Sequence, residues 1–259
     1  MLNSKIQSLE KNIEINPAEL VKPYKEQESG KKQQVAEMFN NISHRYDFLN
    51  HFLSLGIDIL WRKKAVRLIK PFAPKYILDI ATGTGDFAIE CLSLNPTKIV
   101  GIDISDGMLD VGRKKLKKKA LNHKIELLHG DSEKINFPNE SFDAITVAFG
   151  VRNFEHLEIG LKEMCRVLKP GGVAAILEFS KPRVFPLKQL YNFYFLKVLP
   201  SLGKKISSDS AAYTYLPASV QAFPDGQNMV NIIKSCGFNE VKIYTLTGGI
   251  ASIYLSMKK

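Results

Sequence analysis

Tyr76-Ile-Leu-Asp79-Ile-Ala-Thr-Gly83-Thr-Gly85-Asp86, followed by Lys98-Ile-Val-Gly-Ile-Asp103, decides the fold. The first stretch is an apolar strand that ends in acid and turns through glycines. A helix follows, then a second apolar strand that also ends in acid. Glycines at 83 and 85 let the backbone come close to a ligand, which a Cβ would block. Asp103 closes the second strand about 20 residues after the first glycine, where a carboxylate can accept from ribose hydroxyls. Together they describe the opening half of a nucleoside-cofactor site.

Gly83-Thr-Gly85-Asp86-Phe87-Ala88 also fits the looser dinucleotide pattern G-x-G-x-x-A. That reading would seat a pyrophosphate at the helix N-terminus. Asp79 and Asp86 flank the loop, and two carboxylates repel a pyrophosphate at close range. S-adenosylmethionine (SAM) has no phosphate and carries a sulfonium and an α-ammonium, which acids suit. SAM is the favoured cofactor. A nicotinamide or flavin dinucleotide, or a glycine turn holding nothing, are the alternatives.

Outward from this unit, strands and helices alternate. Strands are expected at 76–80, 98–103, 124–128, 142–148, 173–179, 240–246 and 250–257. Helices are expected at 86–94, 106–120, 157–168, 187–199 and 227–236. Alternation with apolar strands predicts an α/β fold: a Rossmann-like, seven-stranded, mostly parallel sheet with helices on both faces. The last two strands are joined too tightly for a parallel crossover, so they should form an antiparallel hairpin. Val35, Met38 and Ile42 have helix spacing, Gly56 breaks that run, and a second helix runs from about Asp58 to Ile69. Residues 1–30 read as a polar extension and 31–259 as one domain. Within it, 31–72 forms a helical cap and 181–226 a lid insertion over the substrate.

Ligands in open sheets sit beyond the carboxyl ends of the strands. That rule gathers Asp79, Gly83, Thr84, Gly85, Asp103, Asp131, Ser132 and Ala148 as cofactor residues. Asp131 and Ser132 could meet the adenine edge, and Phe149 or Phe137 could stack on it. The alternative for Asp131 is a turn residue, and for the phenylalanines core packing. Arg152, just past the fourth strand, either faces the reacting group or pairs with Glu178.

The formal charge is +10. Arg113-Lys-Lys-Leu-Lys-Lys-Lys119 carries part of it and reads as a solvated helix face or as attraction to an anionic membrane. No finger, RNP or helix-turn-helix text points to nucleic acid. Cys91, Cys165 and Cys236 lack metal-ligand spacing, so no metal is expected and reduced, buried thiols are. No apolar run reaches the length of a spanning helix and no secretion signal is apparent, which predicts a cytoplasmic chain.

More selective text lies outside the cofactor half. It comprises Arg45-Tyr46-Asp47-Phe-Leu-Asn50, Leu55-Gly56-Ile, Trp61-Arg62 and Phe142-Asp143-Ala-Ile-Thr-Val-Ala-Phe-Gly-Val-Arg152-Asn153. Leu177-Glu178-Phe-Ser-Lys-Pro182 and Tyr213-Thr-Tyr215-Leu-Pro-Ala-Ser219 belong with it. From about Val35 to Gly249 the chain resembles the menaquinone/ubiquinone quinol C-methyltransferases of the class I SAM-dependent superfamily. Pro217 stands where that family usually has an acidic or alanine residue. The resemblance implies SAM as cofactor and carbon methylation of a polyprenylated quinol, demethylmenaquinol or a benzoquinol. A catalytically silent quinone-binding subunit is the third possibility. It implies Arg152, Asp209 and Tyr213 near the ring, with Tyr215 beside them; Tyr46 and Asp47 are secondary candidates there, the alternative for them being a helix-end cap contact. The implied setting is peripheral contact with an anionic membrane. A homodimer is compatible with the sequence.

Overall fold

The computed structural model describes residues 17–54, 56–198 and 211–259. A seven-stranded sheet organises them, in the order β3-β2-β1-β4-β5-β7-β6. The strands are β1 (Tyr76–Ile80), β2 (Lys98–Asp103), β3 (Ile125–His129), β4 (Phe142–Ala148), β5 (Leu168–Phe179), β6 (Glu240–Leu246) and β7 (Ala251–Met257). β1 to β5 pair in parallel, and β7 runs antiparallel between β5 and β6. The expected hairpin is present, and Thr247–Gly249 turns it. β5 starts at Leu168 rather than Val173, because a register shift lets the Lys169–Gly172 segment join the strand.

After a single helical turn at Pro17–Leu20, the longer α-helices are α1 (Lys31–Leu53), α2 (Ile57–Ile69), α3 (Asp86–Cys91), α4 (Asp106–Lys118), α5 (Leu157–Val167), α6 (Leu187–Phe193), α7 (Ala211–Ala222) and α8 (Gln227–Ser235). α6 continues into a π-helical turn, Tyr194–Val198. The helix expected over 187–199 is thus found in two conformations, and Leu199 lies outside the described residues. The lid text around Pro217 carries no helix signal, yet α7 is a helix with Pro217 inside it. Buried Tyr213, Tyr215 and Val220 hold it in place.

Strand alternation builds the core. Leu78, Ile80, Val100, Ile102, Ile145, Val147, Ala174 and Ile176 face one side, against Leu161 and Met164 of α5 and Met229 and Ile233 of α8. Ile77, Ile99, Ala144, Val173, Ala175 and Leu177 face the other, against Trp61, Ala65 and Ile69 of α2, Phe87 of α3 and Leu109 of α4. A third cluster joins Val35 and Met38 of α1, Tyr191 of α6, Phe195, and Tyr213 and Tyr215 of α7. None of its buried members comes from a strand, so these helices roof the sheet rather than cover a face. No helix among the described residues is long and apolar enough to cross a membrane.

Candidate active site

The loop from β1 to α3 has the expected backbone. Gly83 and Gly85 have φ of +56° and +84°, and Gly85 caps α3. Asp103 fixes this loop: one carboxylate oxygen accepts from Gly83 N–H at 2.8 Å and the other from Ser105 N–H at 2.9 Å. Each oxygen keeps a lone pair for a hydroxyl donor. A Cβ on Gly83 would stand 3.1 Å from Met108 Cε, so a side chain there would narrow the space beside Asp103.

A cavity opens beyond these strand ends. Gly83, Asp103, Asp131, Ser132, Ala148 and Phe149 are among its walls. Asp131 is the turn residue that its sequence offered, and it also lines this cavity. Its Oδ1 accepts from Glu133 N–H in a local turn, and its Oδ2 pairs with Lys32 at 2.7 Å while the residue faces the cavity. Phe137 packs edge-on against Phe142 and contributes nothing to these walls.

A second, polar recess lies behind the glycine loop, lined by Asp79, Thr82, Thr84, Asp86, Arg62 and others. Asp79 is buried, and accepts from Thr82 Oγ1 at 2.5 Å and Thr146 Oγ1 at 2.6 Å. Asp86 is not the bare charge that the loop text suggested. Lys115 pairs with it at 2.8 Å and Arg62 approaches within 3.9 Å. Lys115 also meets Asp47, which accepts from Thr84 Oγ1 at 2.6 Å. Arg62 pairs with Asp58 at 2.7 Å. Asp47, Asp58 and Asp86 thus share two cations, and Asp79, bonded to the Thr82 and Thr146 hydroxyls, adds to an excess of acid suited to an ammonium. The loop threonine and glycines, this acid excess and the Asp103 lone pairs fit SAM.

Tyr46 and Asp47 sit well inside α1 and are not helix-end contacts, because the helix runs on to Leu53. Asp47 ties α1 to the glycine loop. Lys31, invisible as a site residue in sequence, is buried and donates to the carbonyls of Arg152 and Phe154, both at 2.9 Å.

A third cavity, about 280 Å³, lies under the helical roof. Met38, Ile57, Trp61, Phe179, Phe195 and Leu216 make it largely apolar. Arg152 is the one charged side chain on its described walls, and Tyr213 and Tyr215 share them. Arg152 pairs with buried Glu178 at 2.8 Å, donates to Phe149 O and lies over the Phe179 ring. The ion pair weighed in the sequence is present, and Arg152 also stands on the cavity wall. Tyr215 Oη donates to Asn153 Oδ1 at 3.1 Å. Asp209 lies outside the described residues. Tyr46 and Phe149 line all three cavities, so the spaces meet at these two rings.

Burial pushes the Asp79 carboxyl up to about 6, against the opposing hydrogen bonds from Thr146 and Thr82. A raised acid stabilises the fold while protonated and loses that contribution as pH rises through about 6. Binding of an ammonium runs the other way, since it needs the carboxylate. Affinity for S-adenosylhomocysteine should therefore weaken as pH falls through about 6, by about tenfold between pH 7.5 and 5. Calorimetry on wild type and Asp79→Asn checks this. An equally steep loss in the variant would assign the effect to another group, such as Asp103, whose carboxyl is also raised by burial.

The ubiE/COQ5 methyltransferase family model matches residues 27–258. A Bacteroides fragilis protein named demethylmenaquinone methyltransferase is 51% identical over 243 residues, 93% of this chain and 99% of its own. A Porphyromonas gingivalis protein of the same name is 44% identical over 242 residues, 93% and 98% of the two chains. A Geotalea uraniireducens protein named ubiquinone/menaquinone biosynthesis C-methyltransferase UbiE is 46% identical over 230 residues, 88% and 97% of the two chains. Among solved structures, a SAM-dependent methyltransferase from Thermotoga maritima superposes with a TM-score of 0.61 at 19% identity, over 86% of this chain and 99% of that one. That likeness concerns the fold, whereas the family match and the relatives concern nearly the whole chain. The chain belongs to the ubiE/COQ5 methyltransferase family and is a SAM-dependent methyltransferase.

Proposed function

We propose that the enzyme methylates a ring carbon of a polyprenylated quinol, converting a demethylmenaquinol to the menaquinol. The observation that carries this reading is the apolar cavity of about 280 Å³ that meets the cofactor spaces at Tyr46 and Phe149 and holds Arg152 in its wall. The names of the Bacteroides and Porphyromonas relatives support the naphthoquinol over the benzoquinol. Incubation with SAM and each reduced quinone, followed by mass analysis, tests it. Methyl incorporation into neither quinol would overturn the reading, and a benzoquinol-only product would move it to the ubiquinone series.

In this proposal Asp103 accepts from the ribose hydroxyls, and Asp131 and Ser132 border the adenine beside Phe149. Gly83, Thr84, Gly85 and Ala148 shape the passage toward the methyl, and Asp79 holds the α-ammonium. Bound SAM supplies an electrophilic methyl. The chain's part is to set a ring carbon in line with it and to meet the charge growing on the neighbouring oxygen. Arg152 does the second from a water-poor wall, and Tyr213 helps confine the ring. Residues 31–72 and the described parts of 181–226 serve as cap and lid.

Substrate delivery in this proposal comes from a bilayer. α6 turns Tyr191 inward and leaves Leu190 and Phe193 63% and 64% exposed, next to exposed Val184, Phe185 and Lys188. Apolar rings beside a lysine, on the helix that walls an apolar cavity, suit an anionic lipid surface. The basic run of α4 suits it less. Arg113 bonds Asp110 and Leu127 O, Lys115 is taken up by Asp86 and Asp47, and Lys117 to Lys119 lead toward the start of β3 at the amino end of the sheet. Leu190→Ser with Phe193→Ser should reduce sedimentation with anionic vesicles about tenfold or more at low salt. Unchanged sedimentation would sink the patch, and equal binding to neutral vesicles would remove its electrostatic part.

A further inference from the structure

Tyr191 is the residue whose chemistry is least accounted for by packing. It is 5% exposed, its ring stacks on Phe195 with centroids 4.6 Å apart, and it lines the apolar cavity. Its hydroxyl has no hydrogen-bond partner among the described residues. Among the described residues that line that cavity, the only other one with a buried, unpartnered side-chain polar atom is Arg152, at its Nε. Native interiors rarely leave such groups unpaired, and phenylalanine would fill the same space without the desolvation cost. Tyr215 makes the contrast, since its hydroxyl is spent on Asn153.

The two orphans differ in kind. Arg152 Nε is a donor only, whereas a phenol both donates and accepts. An apolar cavity with one fixed donor and one adaptable hydroxyl matches a flat ring carrying two oxygens, one of them gaining negative charge. The guanidinium belongs with the charged oxygen, next to the methylated carbon. We propose that the Tyr191 hydroxyl binds the other ring oxygen, remote from that carbon, and so selects a dihydroxylated ring over a monohydroxylated one. This rests on the quinol reading above. It makes Tyr191 a substrate-binding and specificity residue, with no proton or methyl passing through it.

The test compares two acceptors in two enzymes. One acceptor is a short-chain demethylnaphthoquinol, and the other is the matching naphthol lacking the remote hydroxyl. Wild type should favour the quinol in kcat/KM. Tyr191→Phe should shrink that preference at least tenfold, because a site built to bond a hydroxyl discriminates strongly against its absence. The change should fall mainly on KM for the quinol. Melting without substrate should be unchanged or higher, because an unpaired buried hydroxyl has been removed. An unchanged preference with normal wild-type turnover overturns the Tyr191 proposal and leaves the quinol reading standing. A variant that melts several degrees lower with its preference intact makes Tyr191 a packing residue. A wild type that methylates neither acceptor removes the quinol reading itself.

Discussion

Arg152→Met combined with Glu178→Gln should give a protein that melts near wild type and transfers methyl at least a hundredfold more slowly. The pair is buried on both sides, with Glu178 fully so and Arg152 6% exposed. Removing one partner of such a pair strands a charge, and Arg152→Met alone should lose about 3–5 kcal/mol of stability. Neutralising both removes that penalty. The amide that replaces the Glu178 carboxylate would keep an oxygen for Phe179 N–H, which now donates to Glu178 at 2.9 Å. Stability and catalysis are thereby separated. Losing one preorganised group aimed at developing charge slows turnover by about a hundred- to a thousandfold. Arg152→Lys sits between: it keeps the charge, loses the planar fork and Nε, and should hold SAM affinity while slowing the chemical step. Melting curves and single-turnover transfer from labelled SAM read both quantities. A double variant within a few-fold of wild-type turnover would confine Arg152 to a structural pair.

Asp103→Ala should weaken SAM binding about ten- to a hundredfold, the scale of a charge-assisted pair worth roughly 1.5–3 kcal/mol. A second cost arises inside the protein. Gly83 and Ser105 donate their N–H groups to this carboxylate, so alanine leaves the glycine loop without its prop. Melting without ligand should fall as well, and Asp103→Asn should recover part of the stability but little of the affinity. Calorimetry with S-adenosylhomocysteine and melting of the free variants measure the two effects. An unchanged dissociation constant for Asp103→Ala would remove Asp103 from the ribose site.

The cofactor half was legible because its chemistry is local. Glycines at left-handed positions and an acid at a strand end must sit at those spacings, and the structure places Gly83, Gly85 and Asp103 together as read. The charge argument for SAM was cruder than the molecule. Lys115 comes from α4, a helix away, and nothing in the loop text announces that it will pair with Asp86. The acceptor half was harder to read for a related reason. Leu187 to Val198 is apolar text whether it packs or walls a cavity, so Tyr191 could not be singled out from its neighbours. Lys31 looks like a solvated helix start until a turn over 120 residues away presents its carbonyls. Pro217 reads as a breaker, yet α7 continues through it because packing of Tyr213, Tyr215 and Val220 offsets a local cost of about 3 kcal/mol. Tyr46 carries no sequence signal for a cavity wall, nor Asp47 for its bond to the loop, because which face of α1 turns toward the glycine loop is set by tertiary packing.

The shared walls have a thermodynamic consequence. Tyr46 and Phe149 border all three cavities at once, so on the proposed reading neither ligand settles without touching the other's enclosure. Occupancy on one side is then linked to affinity on the other, and the coupling factor must be identical in both directions. A spent cofactor that changes acceptor binding by some ratio must have its own release changed by that same ratio when acceptor is present. On the proposed reading, the dissociation constant of spent cofactor measured with and without acceptor, and that of acceptor measured with and without spent cofactor, report one coupling free energy, and Tyr46 and Phe149 are where substitutions should change it.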